Sequence, residues 1–194
     1  MTASASSPPA LPRTEVDKST IGVAIDLPQP WGGELTAARL AAGDRVAEYV
    51  PAHVTLLGPT EVDAADLPGI DRHLGDVARA HRAFTVRLRG TGTFRPVTQV
   101  VFVAVAAGIS ECEQLHEAVL AAHAIRDPAR STARFPFHPH VTVAHDVPSA
   151  QLDAVFADLA GYEASFAVGG FTLFEHDDGG RWRPYAQYRL ATDD

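Results

Sequence analysis

A single cysteine, Cys112, stands among 194 residues, so no internal disulfide can form. A reducing compartment suits that count. Long apolar runs are also missing. None approaches the roughly 18 residues of a membrane-spanning helix. The opening stretch, MTASASSPPALPRTEVDK, has neither the basic start nor the apolar core of a secretory leader. The expected location is the cytoplasm, with no membrane partner. The third absence is a basic excess. Sixteen Lys and Arg face 24 Asp and Glu, for a formal charge of -8. Such a surface repels phosphate backbones at long range, which argues against an extended nucleic-acid groove. A small anionic substrate held by a few groups remains compatible with it. The sequence carries no signal for an oligomeric state.

What is present is enough for one core: 46% of the residues are apolar. Residues 1–17, rich in Ser, Pro and Ala, read as a disordered tail, and 18–194 as a single domain. Apolar alternation and β-branched runs predict strands over 19–28, 47–59, 84–94, 98–107 and 137–147. The stretch 165–191 reads as two strands, a Gly-rich turn at 177–180 and a last strand. Helices are expected over 30–43, 66–83, 110–124 and 149–161. The second places Leu67, Ile70, Leu74, Val77 and Ala78 on one face. The third opens with Ser110 and Glu113 in capping-box spacing. The fourth has Ser149 as cap and Gly161 as stop. The order predicts an α+β fold with a weak internal repeat: a His-x-Thr strand, a helix, then a strand pair, twice. Two pseudo-symmetric antiparallel sheet-plus-helix halves, a bilobal molecule, would bring the two motif strands to a central cleft.

The repeat is carried by HVTLLGP at 53–59 and HPHVTVAHD at 138–146. On a strand, side chains alternate between faces. His53 and Thr55 then share one face, while Val54 and Leu56 point to a core. His140 and Thr142 repeat this against Val141 and Val143. On a helix, residues two apart diverge and the pairing is lost. Two imidazoles across a cleft can act as a proton-in, proton-out pair near neutral pH. The two hydroxyls beside them can donate to the non-bridging oxygens of a phosphate. Such a set suits transfer at a phosphodiester and calls for no metal and no cofactor.

The paired HVTL (53–56) and HVTV (140–143) resemble the doubled His-x-Thr/Ser-x signature of the 2H phosphoesterase superfamily, which includes the LigT-like 2′-5′ RNA ligases and cyclic phosphodiesterases. The resemblance runs from about residue 19 to 191 in length, motif spacing and element order. It implies a bilobal α+β fold, metal-independent catalysis by His53, Thr55, His140 and Thr142, and a small nucleotide or RNA end as substrate. The acidic balance departs from what a binder of long RNA needs. The alternative is a non-catalytic nucleotide or RNA-end binding module on the same fold. Both His-Thr pairs are intact here, which favours the enzyme.

Other residues have competing readings. Arg95, before Pro96 in an extended connection, either pairs with substrate phosphate or stays in a solvated loop. Phe135 and Phe137 either flank a base or sugar or pack in the core. His138, His140 and His145 could be read as a metal cluster, but strand alternation puts His145 off the shared face, and no paired cysteine supports zinc. His73, His81, His116 and His123 fall on helices as surface or rim residues, and His176 in a turn. Arg183 and Tyr185, in WRPYAQY (182–188), have no spacing that places them.

Overall fold

The computed structural model describes residues 17–125, 136–177 and 181–192. The expected tail at 1–17 therefore lies outside it except for Asp17, whose carbonyl accepts from the Ala64 amide at 2.9 Å. Among the described residues are eight strands: β1 (Lys18–Asp26), β2 (His53–Asp63), β3 (Phe84–Thr93), β4 (Val100–Ala107), β5 (His140–His145), β6 (Glu163–Val168), β7 (Gly170–His176) and β8 (Trp182–Arg189). The helices are α1 (Trp31–Ala41), α2 (Leu67–Ala80), α3 (Ile109–Leu120) and α4 (Ser149–Asp158), with short 3₁₀ turns at Arg45–Glu48 and Ala64–Asp66. No helix among these residues is long and apolar enough to cross a membrane.

The strands form one antiparallel sheet in the order β6-β3-β4-β5-β2-β1-β7-β8. Its two four-stranded halves meet at the two motif strands, joined there by the registered pair Val54↔Val141. The α+β class and the two halves are as expected. The halves interleave in sequence, however. The β3–β4 hairpin follows β2 in the chain but pairs with β5. Strands β7 and β8 follow β5 but extend the sheet beyond β1. One edge of β2 is already taken by β1 over the long register Lys18↔Asp63 to Asp26↔His53. The hairpin must therefore build outward from β5.

Core burial follows the alternation read in the motifs: Val54, Leu56, Val141 and Val143 are all buried. The five residues expected on one face of α2 are buried as well. Some boundaries differ. The expected strand 47–59 begins only at His53, because the Asp44 carboxylate accepts from the Val46 amide and caps a 3₁₀ turn instead. It then continues past Gly58 and Pro59, which fall between the registered pairs Ile21↔Thr60 and Val23↔Leu57. An irregularity in the ladder is where a proline, lacking an N–H, is tolerated. The N-cap of α3 is Gly108 at φ +85°, not Ser110. A Cβ there would lie 2.7 Å from the Thr85 carbonyl oxygen, so only glycine fits. Ser110 instead accepts from Gln114 within the helix. In α4, Pro148 is the cap and Ser149 the first helical residue. Of the expected turn at 177–180, only Asp177 is among the described residues. Cys112 is fully buried, and burial pushes its thiol up to about 12, so it packs rather than reacts.

Candidate active site

His53, Thr55, His140 and Thr142 are half-buried and stand on the sheet face opposite to Val54, Leu56, Val141 and Val143. Antiparallel register around Val54↔Val141 sets His53 beside Thr142 and Thr55 beside His140. The two histidines therefore stand diagonally, at a Cα separation of about 7–8 Å for regular strands.

Each imidazole is wired the same way. Nδ1 of His53 lies 2.8 Å from the Pro51 carbonyl oxygen, and Nδ1 of His140 lies 2.6 Å from that of His138. A carbonyl can only accept, so both Nδ1 atoms carry the proton. In the neutral rings both Nε2 atoms then hold a lone pair. The Thr55 hydroxyl donates to Nε2 of His53 at 3.1 Å. Burial holds both rings below the usual histidine range. The carbonyl acceptors pull the other way and are outweighed. His53 also feels Arg39, which lowers it, and Asp26, which raises it. His140 is lowered further by the charged forms of His138 and His53.

Helix α1 holds the backbone that aims His53. The Thr36 hydroxyl accepts from the Ala52 amide at 2.9 Å and donates to the Gly32 carbonyl at 2.6 Å. Arg39 Nη1 donates to the Val50 carbonyl at 2.7 Å. Its Nε and Nη2 both bond Asp44 Oδ2, with the two residues 5% and 3% exposed. Pro51 is thus clamped on both sides, and its carbonyl is fixed on the imidazole. Thr36→Val should leave the buried Ala52 amide without an acceptor and cost about 1–3 kcal/mol, read as a lower denaturant midpoint. An unchanged midpoint would show that this bond does not hold the segment.

The surroundings of the two histidines differ. On the His140 side, Phe94 and Phe102 lie 5.0 and 5.1 Å from the imidazole, ring centre to ring centre. Phe102 can lie there because its neighbour is Gly92, where a Cβ would meet the ring at 2.4 Å. On the His53 side a cavity of about 590 Å³ opens over β1, β7 and β8. Asp26, His53 and Thr55 contribute polar groups to its lining, and Tyr49, Phe174 and Trp182 contribute rings. Sequence reasoning missed Asp26 and these rings. Trp182 opens the stretch WRPYAQY, in which Arg183 and Tyr185 have no spacing that places them, and of the three only Trp182 lines the cavity; the register of β8 across two other strands has no local signal.

The remaining candidates fall elsewhere. Arg95 donates to Asp153 of α4 at 2.7 Å and does not line the cavity. Phe137 stacks on His116 at 4.0 Å and packs against the core. His116 in turn donates from Nδ1 to the Leu56 carbonyl at 2.6 Å, so it links α3 to β2 instead of lying at the surface. His73 bonds the Ala118 carbonyl and His81 that of Val77. His176 ends β7, not a turn. Phe135 lies outside the described residues. Among those residues no three or more His, Cys, Asp or Glu side chains are grouped to hold a metal ion, and His145 lies beside Asp146 instead.

Comparison with known proteins adds the following. A model of the 2′-5′ RNA ligase superfamily matches residues 27–180. A protein of Bacillus licheniformis, named provisionally as a phosphoesterase, is 29% identical over 144 residues, covering 73% of this chain and 82% of that one. The crystal structure of Escherichia coli LigT with 3′-AMP superposes with a TM-score of 0.62 at 22% identity, covering 90% of this chain and 99% of that one. A Thermus thermophilus structure gives 0.60 at 24% identity, covering 90% and 100%. These solved structures share the fold.

Proposed function

The chain belongs to the 2′-5′ RNA ligase superfamily and its function is of the phosphoesterase type; from that premise we propose a metal-independent enzyme that acts on a 2′,3′-cyclic phosphate or a 2′-5′ phosphodiester of a nucleotide or RNA end. Its acid and base are His53 and His140. The observation that carries this reading is the duplicated wiring: two Nδ1–H donors tied to backbone, leaving two Nε2 atoms on one face of adjacent strands.

In hydrolysis of a cyclic phosphate, the neutral imidazole takes the proton of the attacking water at Nε2. The new P–O bond forms as the P–O bond to the ribose oxygen breaks. The other, protonated imidazole gives its Nε2 proton to that leaving oxygen. The two rings end with their protonation states exchanged, and solvent restores them. Thr55 and Thr142 donate to the non-bridging oxygens. The bond from Thr55 to His53 couples these roles. Once His53 is protonated, Nε2 no longer accepts, and the Thr55 hydroxyl is released toward the phosphate.

Small nucleotides are the substrates that suit an acidic chain with a compact cavity beside His53, and the cytoplasm is the proposed setting. Structures of E. coli LigT hold 3′-AMP and ATP, ligands of the same class. The test is a panel of 2′,3′-cyclic nucleotides and 2′-5′ dinucleotides assayed with EDTA present. Turnover that persists in EDTA is expected. Activity lost on chelation and restored by zinc would overturn the metal-independent mechanism. No turnover of any member would overturn the substrate class.

A further inference from the structure

A carboxylate stands beside the histidine pair, and among the described residues that line the cavity no Lys or Arg offsets it. Strand register pairs Asp26 of β1 directly with His53 of β2. Directly opposed residues of antiparallel strands have Cβ atoms about 4.5–5.5 Å apart. Asp26 is exposed and lines the cavity with His53 and Thr55. It is fixed from the other side: the Thr172 hydroxyl, on a residue of β7 that is 2% exposed, donates to Asp26 Oδ2 at 2.6 Å. Its charge reaches the imidazole, since Asp26 is among the charges that act on His53. The cations nearby are held elsewhere. Arg39 is buried and donates to Asp44 and to the Val50 carbonyl. Arg95 pairs with Asp153. Arg181 stands at the rim, with its guanidinium 5.7 Å from the centre of the Tyr49 ring. The place across from His140 on β4 holds Ala104, so the carboxylate stands on one side of the pair only.

We infer that Asp26 is a specificity-determining residue that sets the charge this site accepts: it admits a phosphate group with one negative charge and disfavours one with two. The inference rests on the phosphoesterase reading and adds a selectivity to it. A cyclic phosphate or a 2′-5′ diester carries a single charge. Hydrolysis joins the water oxygen to phosphorus and breaks one P–O bond to the ribose, which leaves a monoester. With a second pKa of about 6, that monoester gives its remaining proton to solvent at neutral pH. The product then has one charge more than the substrate, and the added charge develops beside a carboxylate. The hydroxyls of Thr55 and Thr142 can donate to either form, so they do not separate the two. Asp26 does, and it favours departure of the product.

The experiment titrates the full-length protein by calorimetry at about pH 7.5, well above that second pKa. The two ligands are adenosine 2′-phosphate, a dianion, and its methyl ester, a monoanion. Asp26→Asn removes the charge and keeps an oxygen to which Thr172 can donate. It should tighten the dianion more than the monoanion. The ratio of the two Kd values should move by about 3–50-fold, the worth of one added charge at roughly 7 Å between the dielectric of water and that of a protein surface. Asp26→Glu keeps the charge and should keep most of the parent's ratio. Inhibition of turnover by adenosine 2′-phosphate should strengthen in Asp26→Asn to match. A role exerted through His53 alone has the opposite sign. Without Asp26 the imidazole is harder to protonate, so the dianion would weaken more than the monoanion. A ratio that stays put or moves in that direction in Asp26→Asn, or a parent that binds neither ligand, would overturn the inference. Should the parent bind both ligands and yet turn over no cyclic phosphate or 2′-5′ link, the phosphoesterase reading falls, and the Kd ratio still decides the role of Asp26.

Discussion

His53→Ala and His140→Ala should each lower turnover by about 10²–10⁴-fold, the usual worth of one positioned acid or base. Each replacement removes one of the two Nε2 atoms that face the same side of the sheet. Each also removes one hydrogen bond to a backbone carbonyl, worth about 1 kcal/mol, so the variants should remain folded. Midpoints of unfolding measured alongside the rates separate the two effects. The double variant should lose much less than the product of the single losses, because a proton taken by one ring is useful only if the other can give one. Thr55→Val and Thr142→Val should cost less, since each removes one donor to the phosphate and leaves the proton path. Thr55→Val has an added signature. It removes the donor at 3.1 Å from His53 Nε2, a bond that only the neutral ring accepts, so His53 should become easier to protonate. Undiminished turnover in either histidine variant would exclude the mechanism.

Much of this site could be read without coordinates, because its central feature is local. Alternation along a strand puts His53 with Thr55 and His140 with Thr142, whatever the rest of the chain does. The apolar face of α2 is legible for the same reason: Leu67, Ile70, Leu74, Val77 and Ala78 follow a period set by the helix alone. What escaped depends on distant partners. Arg95 meets a carboxylate 58 residues away. Phe137 meets a histidine on α3, and no spacing rule connects them. Trp182 reaches the cavity only through the chained registers of β8 on β7 and β7 on β1. Gly108 displaced Ser110 as the cap of α3 because the Thr85 carbonyl passes too close for any side chain. A capping box is a local preference worth about 1 kcal/mol, and one backbone clash outweighs it. The interleaving of the halves has the same origin, since it is set by which edge of β2 is already occupied.

The pH dependence should separate kcat/KM from kcat. Catalysis needs one ring neutral and the other charged, so each profile should be a bell set by the pair and not by one assignable residue. The bell in kcat/KM reports the free enzyme. There, burial holds both His53 and His140 below the ordinary value of 6.5. Above the higher of the two depressed values both rings are neutral, and the mixed state thins about tenfold for each further unit. The optimum in kcat/KM should therefore lie below about pH 6.5, with a fall of at least roughly 100-fold by about pH 8.5. A bound phosphate places a negative charge between the rings and favours their charged forms, which raises both values in the complex. The bell in kcat should accordingly sit at higher pH. Between the two descending limbs, KM should climb with pH while kcat holds, because binding the anion then takes up a proton. The coupling has its own check. The charged form of His53 is one of the causes that depress His140, so His53→Gln should move the His140 titration upward when followed by NMR. The neighbouring groups, Arg39, Asp26 and His138, stay in place in that variant. A zinc-bound hydroxide would instead give a single ascending limb near neutrality. A kcat/KM that is still rising above pH 7 would therefore exclude the two-histidine pair as the source of the proton.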